Sequence, residues 1–284
     1  MNFSTQAERR QQGRAARKPL TIIGQDMHIL NPLFFRAIEE KDSRALAAMA
    51  KRQAEAGADA LDLNLGPAKK NSELLTWAVA TVLDAADLPL FVASQVLNQP
   101  ELLQRHRGKI TINLVTADPA TLAADMEKAG KYEAGLVVLL TKPGMIACAA
   151  DDRLLLAAEV LETAGRVSFP PNKLWLDPLF RPNSQGMPDL EPVLETLAAL
   201  PLLGPTPVRS LAGLSSAAAF LPPTKRSACQ CRLLPLLAEA GLDAVILNCG
   251  DRRLMETIRS SGGEEAETAL PSADYQMRNL PVSM

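Results

Sequence analysis

The sequence predicts a single-domain α/β protein, a closed (β/α)8 barrel of the TIM type. The first observation is a series of eight short runs that are apolar on both faces, as parallel strands are when helices cover them. The second is the helix-like stretch between successive runs, since this alternation is typical of βα units. The third is length, because 284 residues suit one barrel of about 250 residues with short extensions.

Each predicted strand ends at a polar residue or a glycine, or close to one. The strands are expected over residues 20–24, 60–64, 88–94, 109–113, 135–140, 173–177, 208–215 and 243–248. Capping residues mark the helices between them. Asp42 or Ser43 caps a helix over residues 44–56, and Asp118 with Pro119 suits the start of the helix after the fourth strand.

Two long connections stand out. The first strand is expected to end at Gly24, with a loop as far as Pro32. After the seventh strand, Pro222 and Pro223 predict a long loop before a helix over residues 228–240. Such long loops are often functional.

The barrel is expected to cover residues 19–260. Residues 1–18 are polar and basic and are predicted to form a flexible arm, and residues 261–284 have no periodicity and are predicted to be a tail. The formal net charge of −2 gives no domain-wide positive field for nucleic acid. The sequence contains neither an apolar run of transmembrane length nor an N-terminal secretory signal, so we expect a cytoplasmic protein without a nucleic-acid or membrane partner.

The four cysteines are expected to be ordinary reduced thiols. Cys229 and Cys231 form a C-x-C pair, which would need further ligands to hold a metal. The chain has only two histidines, so a His-rich site is excluded, and no metal site is predicted.

Polar residues at the carboxyl ends of the predicted strands indicate where a site would lie, because (β/α)8 barrels carry their chemistry at that end. These residues are Asp62, Asn64, Asn113, Asp177, Ser215, Ser216 and Asn248.

Asp62 and Asn64 are two positions apart in a strand and therefore face the same side. They could bind a ligand, or cap the barrel layer and the following loop. Asn113 could bind a ligand or stabilise a turn. The Asp177 carboxylate could accept two parallel N–H bonds from a flat heterocycle such as an aminopyrimidine, or pair with a neighbouring Arg or Lys.

Three further side chains could act on phosphate, carboxylate or protons. They are His28, Lys142 and Arg181. The alternative for all three is a solvated loop charge. Lys142 could in principle form a Schiff base, but it lies just after a strand rather than inside it.

Four segments in order resemble one family of enzymes. Residues 57–68 read GADALDLNLGPA, followed by Ile112–Asn113, by LDPL over residues 176–179 and by GLS over residues 213–215. Together they resemble the pterin-binding methyltransferases, which include the methyltetrahydrofolate:corrinoid/iron–sulfur protein methyltransferases. The first segment is fairly specific, and the likeness spans about residues 20–260.

Dihydropteroate synthase is related to these methyltransferases, but its resemblance to this chain is weaker. The segment after the second strand reads Gly66-Pro67-Ala68-Lys69-Lys70, without the Thr-Arg pyrophosphate segment of that enzyme.

The resemblance implies a homodimeric barrel that binds a folate-type pterin in its mouth. Asn113 and Asp177 would hold the pterin ring, and Asn64 would lie beside it. Asp62 and Ser215 are the other candidates for binding the substrate. The implied reaction moves a methyl group between N5 of methyltetrahydrofolate and the cobalt of a corrinoid (cobalamin) carried by a partner protein.

Two departures from the family pattern leave other functions open. Ala93 stands where the family has a pterin-binding Asp, and Ser216 stands where it has an Asn near N5. Ser216 is the nearest candidate to assist catalysis, through a bound water. The alternatives are a scaffold barrel with a degenerate pterin site and a corrinoid methyltransferase with a non-folate methyl donor.

Overall fold

Eight parallel strands close into one barrel, in the order of the sequence. The structure, a computed structural model, describes residues 20–145, 147–181, 189–204, 208–219 and 221–261. Each strand pairs with its two neighbours in the chain, and β8 closes the barrel on β1. The predicted fold class is therefore confirmed.

The strands are β1 Thr21–His28, β2 Ala60–Asn64, β3 Leu90–Ala93, β4 Ile110–Thr116, β5 Gly135–Leu139, β6 Leu174–Asp177, β7 Arg209–Gly213 and β8 Ala244–Leu247. The α-helices are α1 Pro32–Glu39, α2 Ser43–Glu55, α3 Ser72–Ala85, α4 Pro100–Arg105, α5 Leu122–Lys131, α6 Ala150–Arg166, α7 Leu190–Ala199, α8 Leu214–Ala217, α9 Pro223–Glu239 and α10 Arg252–Ser261. Short 3-10 helices follow β2 and β3, at Gly66–Lys70 and Ser94–Asn98.

The core has two parts. A large aliphatic cluster fills the space between the strands and the helices, and a smaller cluster fills the barrel interior. Ile23, Phe91, Val137 and Leu211, one from each odd-numbered strand, belong to the inner cluster. Layers of side chains from alternate strands are the usual filling of such a barrel. The interior is therefore packed, and a site has to lie at one end.

Strands β1 and β4 are longer than predicted. Strand β1 continues to His28 rather than ending at Gly24, with an irregularity in its pairing with β2 between Gly24 and Met27. Strand β4 continues to Thr116, with an irregularity in its pairing with β5. Bulges of this kind let a strand continue past polar or oddly placed residues, and the apolar pattern does not reveal them.

The helix starts also differ in places. Helix α9 begins at Pro223 and not near residue 228, because a proline at the first helical position lacks only an N–H that has no intrahelical partner. Helix α5 begins at Leu122, and the predicted cap Asp118 instead accepts the amide of Ala120 in a preceding turn.

The predicted arm (1–18) and all but the first residue of the predicted tail (261–284) lie outside the described residues. Within the described part of the chain, none of the helices combines the length and apolarity needed to cross a membrane. All four cysteines are free. Cys229 is buried and Cys231 half-buried, and two positions apart on α9 they do not face each other.

Candidate functional site

Three buried polar side chains lie on alternate strands at the carboxyl end of the barrel. Asp62 on β2, Asn113 on β4 and Asp177 on β6 are 6%, 6% and 9% exposed. Side chains alternate along a strand, so Asp62 and Asp177 face inward like Ala60 and Trp175 of the inner cluster. The three side chains form a polar layer above the apolar filling.

Asp62 and Asn113 are joined across β3. The Asn113 Nδ2 donates to Asp62 Oδ1 at 3.1 Å, and Asn113 Oδ1 accepts the amide of Leu114 at 2.8 Å. Burial raises the pKa of Asp62 to about 6, and the hydrogen bond from Asn113 lowers it. This carboxyl therefore changes charge not far below neutral pH.

Asp177 ends β6 and is held by the chain that follows it. Its Oδ1 accepts the amide of Leu179 at 2.8 Å. Burial raises the pKa of Asp177 to about 7, while the Leu179 amide and the charge of Arg153 lower it. The ion-pair partner of Arg153 is Asp189, so the predicted alternative of a salt bridge to Asp177 is not observed among the described residues.

Asn64 caps the end of β2. Its Oδ1 accepts the amide of Gly66 at 2.9 Å, and its backbone oxygen accepts the amide of Ile29. Gly66 adopts a positive φ of 53°, and a Cβ there would lie 2.6 Å from Ile29 Cγ2. These contacts hold the carboxyl ends of β1 and β2 together. Asn64 therefore has the loop-capping role that was one of its two predicted alternatives.

The serines after β7 lie on the short helix α8. Ser215 is half-buried and Ser216 exposed. A Cβ at Gly213 would lie 3.3 Å from Ser216 Oγ, so this hydroxyl folds back over the end of β7. Asn248, at the end of β8, is exposed and its Oδ1 accepts the amide of Gly250 at 2.8 Å.

Ala93 ends β3 between the strands of Asp62 and Asn113. It is buried, and its Cα pairs in register with Asn113. Its methyl group offers no hydrogen bond at the position where the resembled family has a carboxylate. The polar layer therefore has acceptors on β2, β4 and β6 and an apolar position on β3.

The three other predicted candidates are placed differently. Lys142 Nζ pairs with Glu159 Oε2 at 2.7 Å. Lys142 is therefore not a free, solvated charge, and the ion pair does not favour a Schiff-base role. His28 ends β1, and burial lowers its pKa. The Arg181 amide donates to Asp189 at 2.8 Å.

Arg153 on α6 was not predicted. It is fully buried and bonds to the chain directly after Asp177. A charged residue in the first turn of an amphipathic helix gives no sign of burial in the sequence, so no pattern identified it.

A metal site is not supported by the geometry around this layer. Over the described ranges, no group of three or more His, Cys, Asp or Glu side chains is placed to hold a metal ion. The arrangement of Asp62, Asn113 and Asp177 instead suits N–H donors of an uncharged or cationic organic ligand, because carboxylate and amide oxygens are acceptors.

No protein-family model matches the sequence. Solved structures with a similar fold include dihydropteroate synthase from Xanthomonas albilineans with 4-aminobenzoic acid, at 19% identity and a TM-score of 0.61, over 90% of this chain and 96% of that chain. The same enzyme in complex with 7,8-dihydropteroate has 17% identity and a TM-score of 0.58, with the same coverage.

Dihydropteroate synthase from Stenotrophomonas maltophilia, with imidazole in its active site, is 15% identical with a TM-score of 0.60, over 89% of this chain and 95% of that chain. At these identities the likeness shows the fold. The chain thus has the single-domain (β/α)8 architecture of these dihydropteroate synthases.

Proposed function

We propose that the protein is an enzyme that binds a folate-type pterin at the barrel mouth. The methyl group on N5 of methyltetrahydrofolate is transferred to, or received from, the cobalt of a corrinoid protein. The observation that carries the proposal is the convergence of Asp62, Asn113 and Asp177 at one end of the barrel. These residues lie in the segments that resemble the pterin-binding methyltransferases.

The chemistry of the three side chains supports a pterin. Its 2-amino group and ring N–H form a flat, guanidine-like edge, and a carboxylate accepts two parallel bonds from such an edge. Asp177 Oδ1 is already bonded to Leu179, so Oδ2 is the oxygen best placed to accept the first ligand bond. Asn113 can both donate and accept, which suits the neighbouring ring carbonyl and nitrogen.

Methyl transfer from the pterin breaks the bond between N5 and the methyl carbon, and the electron pair of that bond stays on N5. A Co(I) corrinoid supplies the nucleophilic electron pair when it is bound. N5 must take up a proton, so a group that carries one near neutral pH assists the reaction. Asp62 has a pKa in that range, and Ser216 could relay a proton through water. Asp177 is ionised when it accepts the ring N–H bonds, so its role is to bind the pterin.

Exposed leucines around the mouth support a protein partner. Leu30 is 83% exposed and Leu33 68%, both in the β1–α1 region, and Leu114 is 39% exposed beside Asn113. Leu30 and Leu33 are near neighbours along the chain, and large apolar side chains exposed together favour a contact surface. Leu114 lies on β4, three strands away around the barrel. A corrinoid protein that docks there would bring cobalt to the pterin. The homodimer and the cytoplasmic location that the sequence favours are part of this proposal and remain predictions.

A second candidate function rests on Ala93. With a methyl group where the resembled family has a carboxylate, the barrel could bind its partner without turnover or use another methyl donor. Loss of one charged hydrogen-bond acceptor weakens binding by about 1.5–3 kcal/mol when the donor is left unpaired, which is enough to change the preferred ligand.

The test is an anaerobic assay of cob(I)alamin methylation with methyltetrahydrofolate as donor, followed by absorbance. We expect steady transfer by the wild-type protein and none by an Asp177→Ala variant. Pterin binding without transfer would favour the scaffold function. Binding of 4-aminobenzoate in place of methyltetrahydrofolate would contradict the proposal and favour a dihydropteroate synthase-like activity.

A further inference from the structure

Arg153 is the largest fully buried side chain in the described part of the molecule and is 0% exposed. It lies near the start of α6, outside the strand wall. Moving a guanidinium out of water is unfavourable unless hydrogen bonds and an opposite charge compensate. Burial of this arginine therefore requires compensating bonds, and the partners of those bonds indicate its role.

Among the described residues, the hydrogen bonds of Arg153 go to the two loops that flank it at the mouth. Nε donates to the Pro178 carbonyl at 2.8 Å, and Nη2 donates to the Leu179 carbonyl at 3.3 Å. Nη1 donates to the Cys148 carbonyl at 3.1 Å. Nη2 also pairs with Asp189 just before α7. The planar fork thus binds both residues that follow Asp177.

These bonds reach Asp177 through one strained residue. Leu179 has a left-handed φ of 58°, which is unfavourable for a side chain with a Cβ. In that conformation its carbonyl faces Arg153 and its amide donates to Asp177 Oδ1. The guanidinium therefore holds the backbone that in turn orients the carboxylate.

We propose that Arg153 is the positioning residue of the site, which fixes the Asp177–Leu179 segment from behind the barrel wall and so aims the Asp177 carboxylate at the ligand. Its role for pterin binding rests on the proposed function. Its role in orienting Asp177 does not, because that part follows from the bonds within the protein.

Among the described residues, few other charges act on Asp177. Asp189, at the start of α7, is paired with Arg153. Across β5 the register partner of Asp177 is Leu139, which is apolar. Arg209 on β7 lies one layer lower, over the ring of Trp175. The pKa of Asp177 is raised by burial and lowered by the Leu179 amide and by Arg153, so it reports whether this arrangement is intact.

The test compares Arg153→Lys and Arg153→Gln with wild type. Lysine keeps the charge but cannot form the planar fork, and glutamine keeps a donor without the charge. We expect carboxyl NMR, with Asp177 assigned from Asp177→Asn, to show its titration midpoint raised in both variants, by about one pH unit for glutamine. The midpoint of Asp62 should stay unchanged.

Arg107→Lys is the matched control. Like Arg153, Arg107 binds a backbone carbonyl (of Lys131) and a carboxylate (of Glu133), but it does so at the surface. It should leave Asp177 unchanged. If either Arg153 variant folds and keeps the wild-type Asp177 midpoint, the proposal is wrong.

A second arm measures methyltetrahydrofolate affinity, which we expect to fall about tenfold or more in Arg153→Lys because a misplaced carboxylate loses a charged hydrogen bond. If the wild-type protein binds no pterin, the proposed function fails and the NMR result still decides the positioning role. If the wild type binds methyltetrahydrofolate and a folded Arg153→Lys protein binds it equally well, the positioning role of Arg153 is contradicted.

Discussion

Two buried carboxyl groups ionise close to neutral pH. Asp62 has a pKa of about 6 and Asp177 of about 7, and burial is the main cause in both cases. A carboxylate in such a place is poorly solvated, so it gains more from a ligand N–H than an exposed one would. Groups of this kind cluster at functional sites, although structural networks also perturb pKa values.

We predict that pterin binding depends on pH through Asp177. The ligand donates N–H bonds, so it prefers the ionised carboxylate, and the ionised fraction falls as the pH drops below 7. Methyltetrahydrofolate should bind about tenfold more weakly at pH 6 than at pH 8. Titration calorimetry at pH 6, 7 and 8 measures this. The slope should vanish in Asp177→Asn, and a slope that persists there would assign the titration to another group.

We predict that Asp177→Asn stabilises the fold at high pH. The folded protein keeps its Asp177 proton up to about pH 7, whereas the unfolded chain releases it near pH 3.9. The free energy of unfolding therefore falls as the pH rises from about 4 to about 7, and it stays lower above pH 7. The gain in unfolding free energy should be on the order of 3 kcal/mol at pH 8 and smaller at pH 5. Urea unfolding at both values measures it, and an equal gain at both would contradict the buried-carboxyl account.

At the scale of elements, the strands whose apolar runs stop at a clear polar residue were predicted well. β2 matches its prediction and β6 begins one residue later than predicted. β1 was predicted too short because Gln25 and Asp26 interrupt its apolar pattern. In the structure the Asp26 amide donates to the Gln53 side chain of α2 at this point. Such a contact between elements far apart in the chain leaves no local signal.

The candidate site was predictable to a similar extent. Strand periodicity placed Asp62, Asn113 and Asp177 at one end of the barrel, because parallel strands bring their carboxyl ends together. The hydrogen bond between Asp62 and Asn113 was not predictable, since it depends on the stagger of β2 against β4. Arg153 could not be predicted because its role depends on loop carbonyls, which carry no sequence information.

The turn after β2 gives a prediction at this scale. Gly66→Ala should lower the unfolding free energy by about 2 kcal/mol, through a left-handed φ and a clash with Ile29. Gly144→Ala is the matched control, with a φ of 76° and no described atom within 4 Å of the added Cβ, so only about 1 kcal/mol of backbone strain is expected. Urea unfolding separates the two, and equal losses would refute the close approach of Ile29.

At the scale of the whole molecule, the polar layer lies at one end of a packed barrel. The layer of Ile23, Phe91, Val137 and Leu211 fills the interior, and Arg209 stacks on the Trp175 ring at 3.7 Å below the polar layer. This packing leaves the mouth as the side from which a ligand would approach Asp62 and Asp177. The proposed pterin site and the proposed docking surface thus share one face of the molecule.

The most direct test of the central claim is calorimetric titration of the wild-type protein and of Asp177→Ala with methyltetrahydrofolate. The proposed site predicts binding of the wild type with a dissociation constant on the order of micromolar, about −8 kcal/mol, and no detectable binding of the variant. Absence of binding by the wild type, or equal affinity of the two proteins, would contradict a pterin site at Asp177.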